Sequence, residues 1–544
     1  MPIILYPYNL IKNPFPSSPT PHLNDAHILG GRRHKEARNS IFSCIQDVGK
    51  NKEVNDTSKN FRIVTVIQDV GSGKTHLTLN IKISEINEKA IISYLDLSQI
   101  YPKNIQSIYQ SMINGFQANY LSNLKKELLY YIRDKIKSNP KIAKKIFKLG
   151  FFESLAGKGI DNKILQILEN KLEPNLDYID NLFDNTFSKN DISIIKIVIQ
   201  NQFEDKESIT LIEMLNRLSA LSKINLILFN KISLYQFDEF DNNEQTLSFM
   251  KALINTHIPN TVLMLILTPA SYLKIASEDS SVFDRLEKAN YKIDLAGSNS
   301  FEEISNIVLE YIKFYNNNTD IIEEEQTDLL SKIKILYDDF DFRNIRSILN
   351  IMYNAFEIAV DKNVSSINEQ VLDETLQKTY PGVRIKGSIM NISISDYIKI
   401  KNHIDSTIDI KTEIIRSLKD LINYLHKSEI KCKYEDYLSL EEEEKEINII
   451  YKDNIGSTSQ IAMLLDQSSL SDLKNTVHNN LEYSLKDFKK YPKISNRNNK
   501  NSSINLDHSK IVDLLYMSYK FNHNLHTSDD HDKIVLLAKS INLC

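Results

Sequence analysis

The sequence predicts an α/β fold with a parallel sheet, and two observations in the first hundred residues carry that prediction. A β-branched run at 63–67 (IVTVI) leads into a glycine-rich loop at 71–75 (GSGKT) and a helical pattern that continues to Asn87. A second apolar run follows at 90–97. Runs of this kind are typical of buried parallel strands, and the order strand, loop, helix, strand forms a βαβ unit.

The other strands of the sheet are predicted further along the chain. Apolar runs at 224–229, 261–268 and 291–295 each have the length and composition of a strand. Residues 34–48 ahead of the first strand, and most of 98–222 behind the second, have a helical pattern. Because the second stretch is too long for a simple crossover, we expect it to be a helical insertion.

Bulk composition is that of an ordinary globular chain. Of 544 residues, 42% are hydrophobic and 25% are charged, and the net charge of -5 gives no overall sign of a nucleic-acid partner. The three cysteines lie far apart, which argues against a disulfide framework or a zinc finger. We find neither a signal-peptide pattern nor the roughly 18-residue apolar run of a membrane span. A cytoplasmic protein without membrane contact is therefore expected.

The glycine-rich loop matches the phosphate-binding pattern G-x-x-x-x-G-K-[ST], except that Gln68 replaces the first glycine. Backbone N–H groups at the start of a helix can surround a phosphate, and glycines allow its close approach. Lys74 would neutralise phosphate charge, and the Thr75 hydroxyl would bind Mg²⁺. We therefore predict binding of ATP and Mg²⁺ by the residues Asp69, Val70, Gly71, Ser72, Gly73, Lys74, Thr75 and His76.

ATP hydrolysis usually needs an Asp-Glu pair at the end of a neighbouring strand, where Asp orders Mg²⁺ and Glu polarises water. Two alignments are open. The run 224–229 is the stronger strand candidate, but it ends in Asn230-Lys231, which supplies no carboxylate. The pair Asp238-Glu239 follows a shorter run that a glutamine interrupts. We prefer the first alignment, which predicts weak or absent hydrolysis, whereas the second would make Asp238 and Glu239 catalytic.

These residues resemble the AAA+ superfamily, in particular the archaeal initiator-like (origin-recognition) ATPases and the neighbouring STAND-type switch ATPases. The resemblance covers roughly residues 10–380. The segment 13–15 (NPF), and Gly31-Arg32 followed by Glu36, look like the family's lead-in, which packs near the adenine. The resemblance implies a P-loop NTPase domain with a helical lid.

The resemblance also implies roles for residues outside the loop. Thr268 matches the sensor 1 position, which positions water or the γ-phosphate. Arg285, within 283–286 (FDRL), is similar to an arginine finger that reaches a neighbouring subunit. Arg346 is similar to the sensor 2 arginine of the lid, with Arg343 as the alternative. A self-oligomer or a protein partner is therefore expected, and DNA is a candidate partner.

Four regions follow from these patterns. They are a lead-in at 1–60, a nucleotide-binding domain at 61–298 with its insertion at about 98–222, a helical lid at 299–384, and a C-terminal domain at 385–544. In the last region a helix at 412–427 and a strand at 447–451 are predicted, with an acidic run at 441–444. Either a winged helix or a nuclease-like domain could contain them, and no Glu-x-Lys pattern there lies on a clear strand.

Three functions remain open from the sequence. The preferred one is an ATP-binding switch with weak or no hydrolysis that acts in DNA-linked assembly, in replication initiation, mobile-element control or defence. The second is a catalytically degenerate subunit that serves as a structural or regulatory partner of another protein. The third is an active ATPase that uses Asp238 and Glu239.

Overall fold

The computed structural model describes most of the chain. The residues outside its description are 1–5, 19–25, 52–59, 70, 139–179, 181–182, 184–185, 204–208, 241–242, 290, 317–320, 407–409, 431–435, 444–445, 453–457, 466–503 and 542. The chain forms two compact units. The first unit comprises 18–314 and 344–346, and the second comprises 1–17, 315–343 and 347–544.

The first unit is built on a sheet of five strands, all paired in parallel. The strands are β1 (Phe61–Ile67), β2 (Ala90–Asp96), β3 (Ile232–Asp238), β4 (Thr261–Leu267) and β5 (Tyr291–Asp294). Their order across the sheet is β2–β3–β4–β1–β5. The α/β class and the parallel sheet predicted from the sequence are therefore confirmed.

Helices connect these strands and cover the sheet. They are α1 (Arg32–Lys50), α2 (Lys74–Ile83), α3 (Ile105–Asn114), α4 (Tyr120–Ser138), α5 (Lys189–Ile199), α6 (Leu211–Phe229), α7 (Glu244–Thr256), α8 (Pro269–Glu278), α9 (Ser280–Glu287) and α10 (Phe301–Tyr315). The described part of the connection from β2 to β3 consists of α3 to α6. That agrees with the helical character predicted for about 98–222.

The sheet has an apolar core on each face because its central strands are apolar on both sides. On β4, Leu263 and Leu265 face one cluster with side chains of α3 to α9. Val262 and Met264, at alternate positions, face a second cluster formed with α1 and α2. A strand buried on both faces needs a continuous apolar run, which is why 261–268 was recognisable in the sequence.

The predicted strand at 224–229 was wrong. Those residues form the last turns of α6, a helix of 19 residues whose N-cap Thr210 accepts a hydrogen bond from the Glu213 amide. Asn230 ends this helix in the left-handed conformation, with φ of 55°. A short apolar run fits a buried strand and a buried helical turn equally well, so periodicity alone cannot separate the two.

The strand that follows this helix is β3, and it contains buried polar residues. Ser233 and Gln236 are both 0% exposed. The Asn225 side chain of α6 donates a hydrogen bond of 3.1 Å to Ser233 Oγ, which satisfies one of these polar groups. Gln236 made the run look interrupted in the sequence, although every residue of β3 is buried.

The second unit contains helices and a smaller sheet. Its helices are α11 (Glu323–Asp338), α12 (Ile345–Asp361), α13 (Glu369–Thr379), α14 (Ile394–Ser406), α15 (Ile410–Lys427), α16 (His508–Asn522) and α17 (Asp530–Ser540). The first two residues of α12 belong to the first unit. With α10, these helices confirm the predicted helical character of 300–380, and α15 confirms the helix predicted at 412–427. None of the helices that the structure describes is both long and apolar enough to cross a membrane.

The smaller sheet has the strands β6 (Asp436–Glu443), β7 (Glu446–Lys452), β8 (Thr458–Leu465) and β9 (Ile504–Leu506), paired in that order. The strand predicted at 447–451 is confirmed as β7. The acidic run at 441–444 lies mostly in β6, and Glu444 is outside the described residues.

Candidate functional site

The carboxyl ends of three adjacent strands meet at one edge of the parallel sheet. β4 pairs with β1 through Ile67 and Leu267, and with β3 through Leu265 and Phe237. The glycine-rich loop follows β1, and Thr268 follows β4. β3 ends at Asp238, and Glu239 is the next residue. Ligands of open α/β sheets bind at this edge, so the fold brings together segments that are far apart in sequence.

Two glycines give the loop after β1 its shape. Gly71 and Gly73 have φ of 78° and 105°, a region that side chains with a Cβ rarely adopt. Gly73 is the N-cap of α2, and Lys74 is the first residue of that helix. The first N–H groups of a helix have no partner within it, and they carry the positive end of the helix dipole. The loop and the start of α2 are therefore suited to an anion.

Lys74 is a buried cation at the centre of this edge. Its side chain is 4% exposed, and its Nζ lies 3.5 Å from Glu239 Oε1. Nζ has no hydrogen-bond acceptor within the part of the chain that the structure describes. A buried ammonium needs counter-charge and hydrogen-bond acceptors to offset its desolvation. Phosphate oxygens would supply both.

Asp238 ends β3 in a buried position beside the start of α2. It accepts hydrogen bonds from the Thr75 hydroxyl, from the Tyr94 hydroxyl at 3.1 Å and from the Glu239 amide at 2.9 Å. Burial raises the pKa of the Asp238 carboxyl, and these hydrogen bonds oppose the rise only in part. Ionised Asp238 therefore destabilises the fold unless a cation is near it.

We expect Asp238→Asn to raise the melting temperature of the nucleotide-free protein. The folded pKa of Asp238 lies above its unfolded value, so at neutral pH ionisation of this group favours the unfolded state, and the neutral amide removes that cost. Thermal melts with and without Mg²⁺ and ADP would measure the change in melting temperature. The same substitution should remove any stabilisation that depends on Mg²⁺, and a lower melting temperature in both conditions would contradict this prediction.

Asn230 and Lys231 do not lie at this edge. They precede β3, whereas Asp238 ends it, and a strand of seven residues is about 20 Å long. The Lys231 ammonium donates instead to the Asn87 carbonyl, at 2.6 Å. The preferred alignment of the acidic motif is therefore wrong, because the segment before Asn230 is a helix and β3 begins after it.

The other described residues of the predicted loop have hydrogen-bond partners within the first unit. Ser72 is buried and its hydroxyl donates to the Asp69 carbonyl at 2.5 Å. The Asp69 carboxylate accepts from the Gly297 amide at 2.7 Å. His76 Nε2 lies 2.5 Å from the Ile28 carbonyl, which places it against the segment before α1. Val70 is outside the described residues.

The residues assigned through the family resemblance are found at several places. Thr268 is the N-cap of α8 and accepts from the Ser271 amide at 3.1 Å. Arg285, on α9, donates to Asn255 and is exposed. Arg346 is exposed, and its amide donates to the Asn344 side chain at 2.8 Å. Their proposed roles towards a nucleotide remain predictions.

Asn344 lies beside the loop in the first unit. A Cβ on Gly71 would be 2.7 Å from Asn344 Nδ2, a contact that a shift of the Asn344 side chain could relieve, so glycine is needed there mainly for its backbone conformation. The two parts of the predicted lead-in belong to different units. Gly31 starts α1 in the first unit, whereas Asn13 donates to the Tyr353 carbonyl of α12 in the second, at 2.9 Å.

Sequence reasoning missed Tyr94 and His34. Tyr94 lies on β2, in register with Gln236 of β3, and reaches Asp238 across the strands. His34 lies on α1 and contacts Gln68 across 34 residues of sequence. Neither residue belongs to a motif, so only strand register and helix packing could have revealed them.

The site fits ATP with Mg²⁺. Lys74 and the start of α2 present positive charge and N–H groups for phosphates. The Thr75 hydroxyl and the Asp238 carboxylate are the oxygen groups that would hold Mg²⁺, an ion that typically uses one or two carboxylates together with phosphate oxygens and waters. Across the described residues no group of three or more His, Cys, Asp and Glu side chains forms a separate metal cage.

No protein-family model matches this chain, and no curated protein matches it. Among solved structures, the Aeropyrum pernix ORC2 protein (ADPNP-ADP complexes) is similar to it with a TM-score of 0.35 and 12% identity, over 72% of this chain and 76% of that chain.

Proposed function

We propose that this chain binds ATP with Mg²⁺ and hydrolyses it, with Asp238 and Glu239 as the acidic pair. One observation carries the proposal. The pair ends the strand whose carboxyl end faces the glycine-rich loop, with Asp238 hydrogen-bonded to Thr75 and Glu239 paired with Lys74. The expectation of weak or absent hydrolysis rested on Gln68 in the loop and on a strand ending at Asn230, and the second of these segments is helical.

Each residue has a distinct part in the proposed reaction. Lys74 and the amides of the loop would bind the β- and γ-phosphates, and Thr75 and Asp238 would hold Mg²⁺. The metal would supply positive charge that stabilises the phosphates as ADP leaves. Glu239 orients the attacking water and accepts its proton as the oxygen attacks the γ-phosphorus.

The ion pair between Glu239 and Lys74 supports this assignment. Phosphate oxygens compete with Glu239 for the same ammonium, so nucleotide binding would release the carboxylate to contact water. Glu239 has φ of 49°, in the left-handed region that few residues other than glycine occupy. Backbone outliers of this kind are concentrated at functional sites.

The proposed class is an AAA+ ATPase. Its support is the loop between β1 and α2, the acidic pair on β3, and β4 between these strands with Thr268 at its carboxyl end. Self-association through Arg285 and contact with DNA follow only from the family resemblance and remain predictions. A DNA complex that requires ATP and weakens steeply with salt would support the second of these.

Phosphate release from Mg²⁺-ATP by the purified full chain tests the proposed function. We expect measurable release, together with a rise in melting temperature when ADP and Mg²⁺ are added, because a ligand that binds only the folded state stabilises it. Tight binding without release would instead favour the degenerate regulatory subunit. Absence of binding at millimolar ATP with Mg²⁺ would contradict the nucleotide site itself.

A further inference from the structure

The residue that departs from the phosphate-loop pattern makes contacts that a glycine could not. Gln68 is 0% exposed, and its Nε2 donates to the Ser72 carbonyl at 2.9 Å. The same nitrogen lies 2.7 Å from Nε2 of His34, which is 6% exposed. The backbone amide of Gln68 donates to the Leu267 carbonyl at 2.9 Å. Gln68 thus joins the end of the sheet, the loop and α1.

Hydrogen-bond chemistry fixes the direction of these contacts. With the Gln68 nitrogen facing His34 its N–H donates, so His34 Nε2 accepts and the ring is neutral, and its protonated Nδ1 is buried without a hydrogen-bond partner among the described residues. The opposite orientation of the Gln68 amide would place its oxygen against the Ser72 carbonyl, which is also an acceptor. Burial lowers the pKa of His34 to about 4, with smaller contributions from His76 and Arg33, and the Ser72 carbonyl opposes this only in part. The ring therefore remains an acceptor at neutral pH.

The pair also fills the space beneath the loop. A Cβ on Gly73 would lie 3.3 Å from His34 Nε2 and 4.0 Å from Gln68 Nε2. His34 is held in place by α1, which begins directly after Gly31 with φ of 87°. Two buried polar side chains, Gln68 after β1 and His34 on α1, therefore pack against the loop.

We propose that Gln68 and His34 are positioning residues that hold the phosphate loop in the shape that binds nucleotide. This inference rests on the proposed function, since it concerns the same site. Gln68 bridges the Ser72 carbonyl to α1, and His34 orients the Gln68 amide by accepting its second N–H. Where the usual motif has a flexible glycine, this chain therefore has a side chain whose hydrogen bonds hold the loop in place.

Restoring the usual motif gives a test in which two explanations predict opposite results. Gln68→Gly creates the complete G-x-x-x-x-G-K-T pattern, so a motif-based view expects ADP affinity that is unchanged or improved. We expect affinity to fall by about tenfold, the effect of one or two buried hydrogen bonds. Gln68→Met, which keeps the volume without the donor, should weaken binding to a similar extent.

Variants of His34 separate positioning from a general loss of structure. His34→Gln keeps an acceptor oxygen and should retain most of the ADP affinity, whereas His34→Leu removes it and should match Gln68→Met. The double variant of His34→Leu and Gln68→Met should lose little more than either single variant, because both break one bridge. Titration of ADP with Mg²⁺, alongside thermal melts, provides the measurements.

The outcomes are distinguishable from failure of the proposed function. If the unaltered protein does not bind ADP, the nucleotide site is wrong. If it binds ADP and Gln68→Gly binds at least as tightly, only the positioning role is overturned. Equal losses for His34→Gln and His34→Leu would also overturn it, because the acceptor would then have no specific effect.

Discussion

We expect Glu239→Gln to lower the rate of ATP turnover by about 100-fold or more, since a general base contributes about 10²–10⁴ to a rate. The amide cannot take a proton from water, although it keeps the size of the side chain. Affinity for ATP should be unchanged or tighter, because the neutral amide would no longer compete with phosphate for Lys74. Phosphate release under saturating Mg²⁺-ATP and titration with a non-hydrolysable analogue would measure the two effects separately.

Lys231→Gln is the matched control for this prediction, since Lys231 belongs to the alternative acidic motif. Its ammonium contacts the Asn87 carbonyl at the other end of β3, so turnover should change little. A large loss of turnover for Lys231→Gln, with little effect of Glu239→Gln, would contradict the assignment of Asp238 and Glu239. It would support Asn230-Lys231 as the acidic-motif position instead.

We expect Lys74→Ala to weaken ATP and ADP binding by about 100-fold or more, because hydrogen bonds from a charged group contribute about 1.5–3 kcal/mol each. Lys74 is a buried cation within the loop, and the phosphates would lose both its charge and its donors. The fold should survive, since Glu239 is 40% exposed and can be solvated without its partner. The rise in melting temperature on adding Mg²⁺ and ADP should therefore largely disappear.

Lys332 provides a closely matched control within the same chain. Its side chain is 5% exposed and pairs with Asp328, which is 43% exposed, so its setting is similar to that of Lys74 with Glu239. It belongs to the second unit, whereas the loop belongs to the first. Lys332→Ala should affect the melting temperature without changing ADP affinity. Similar losses of affinity for the two variants would mean that Lys74 acts only through stability.

Local chemistry was sufficient to predict the centre of the site. The defining residues of the site lie close together in sequence, within 63–75. They are a β-branched strand, glycines at 71 and 73, and a lysine and a threonine at the start of a helix. Their geometry depends mainly on neighbours in sequence, through φ preferences, helix capping and the peptide dipole. The motif therefore identified residues that the fold places together, with Gln68 as the one unexplained departure.

The acidic pair could not be chosen in the same way. The run 224–229 is more apolar than β3, yet it completes a helix whose cap lies at Thr210. β3 contains Ser233 and Gln236, which a buried strand accommodates because α6 supplies the Asn225 side chain to one of them. Burial and hydrogen bonding between elements decided the assignment, and neither is visible in a single run of residues.

The sequence by itself determined the βαβ unit, the strands predicted at 63–67, 90–97, 261–268 and 291–295, and the phosphate loop, because each is specified by local conformational preference and by the pattern of its apolar residues. Only the tertiary structure decided that Asp238 and Glu239 face this loop, and that His34 supports it through Gln68. Those choices depend on strand order, register and the packing of α1. They join residues that are distant in sequence and share no local pattern.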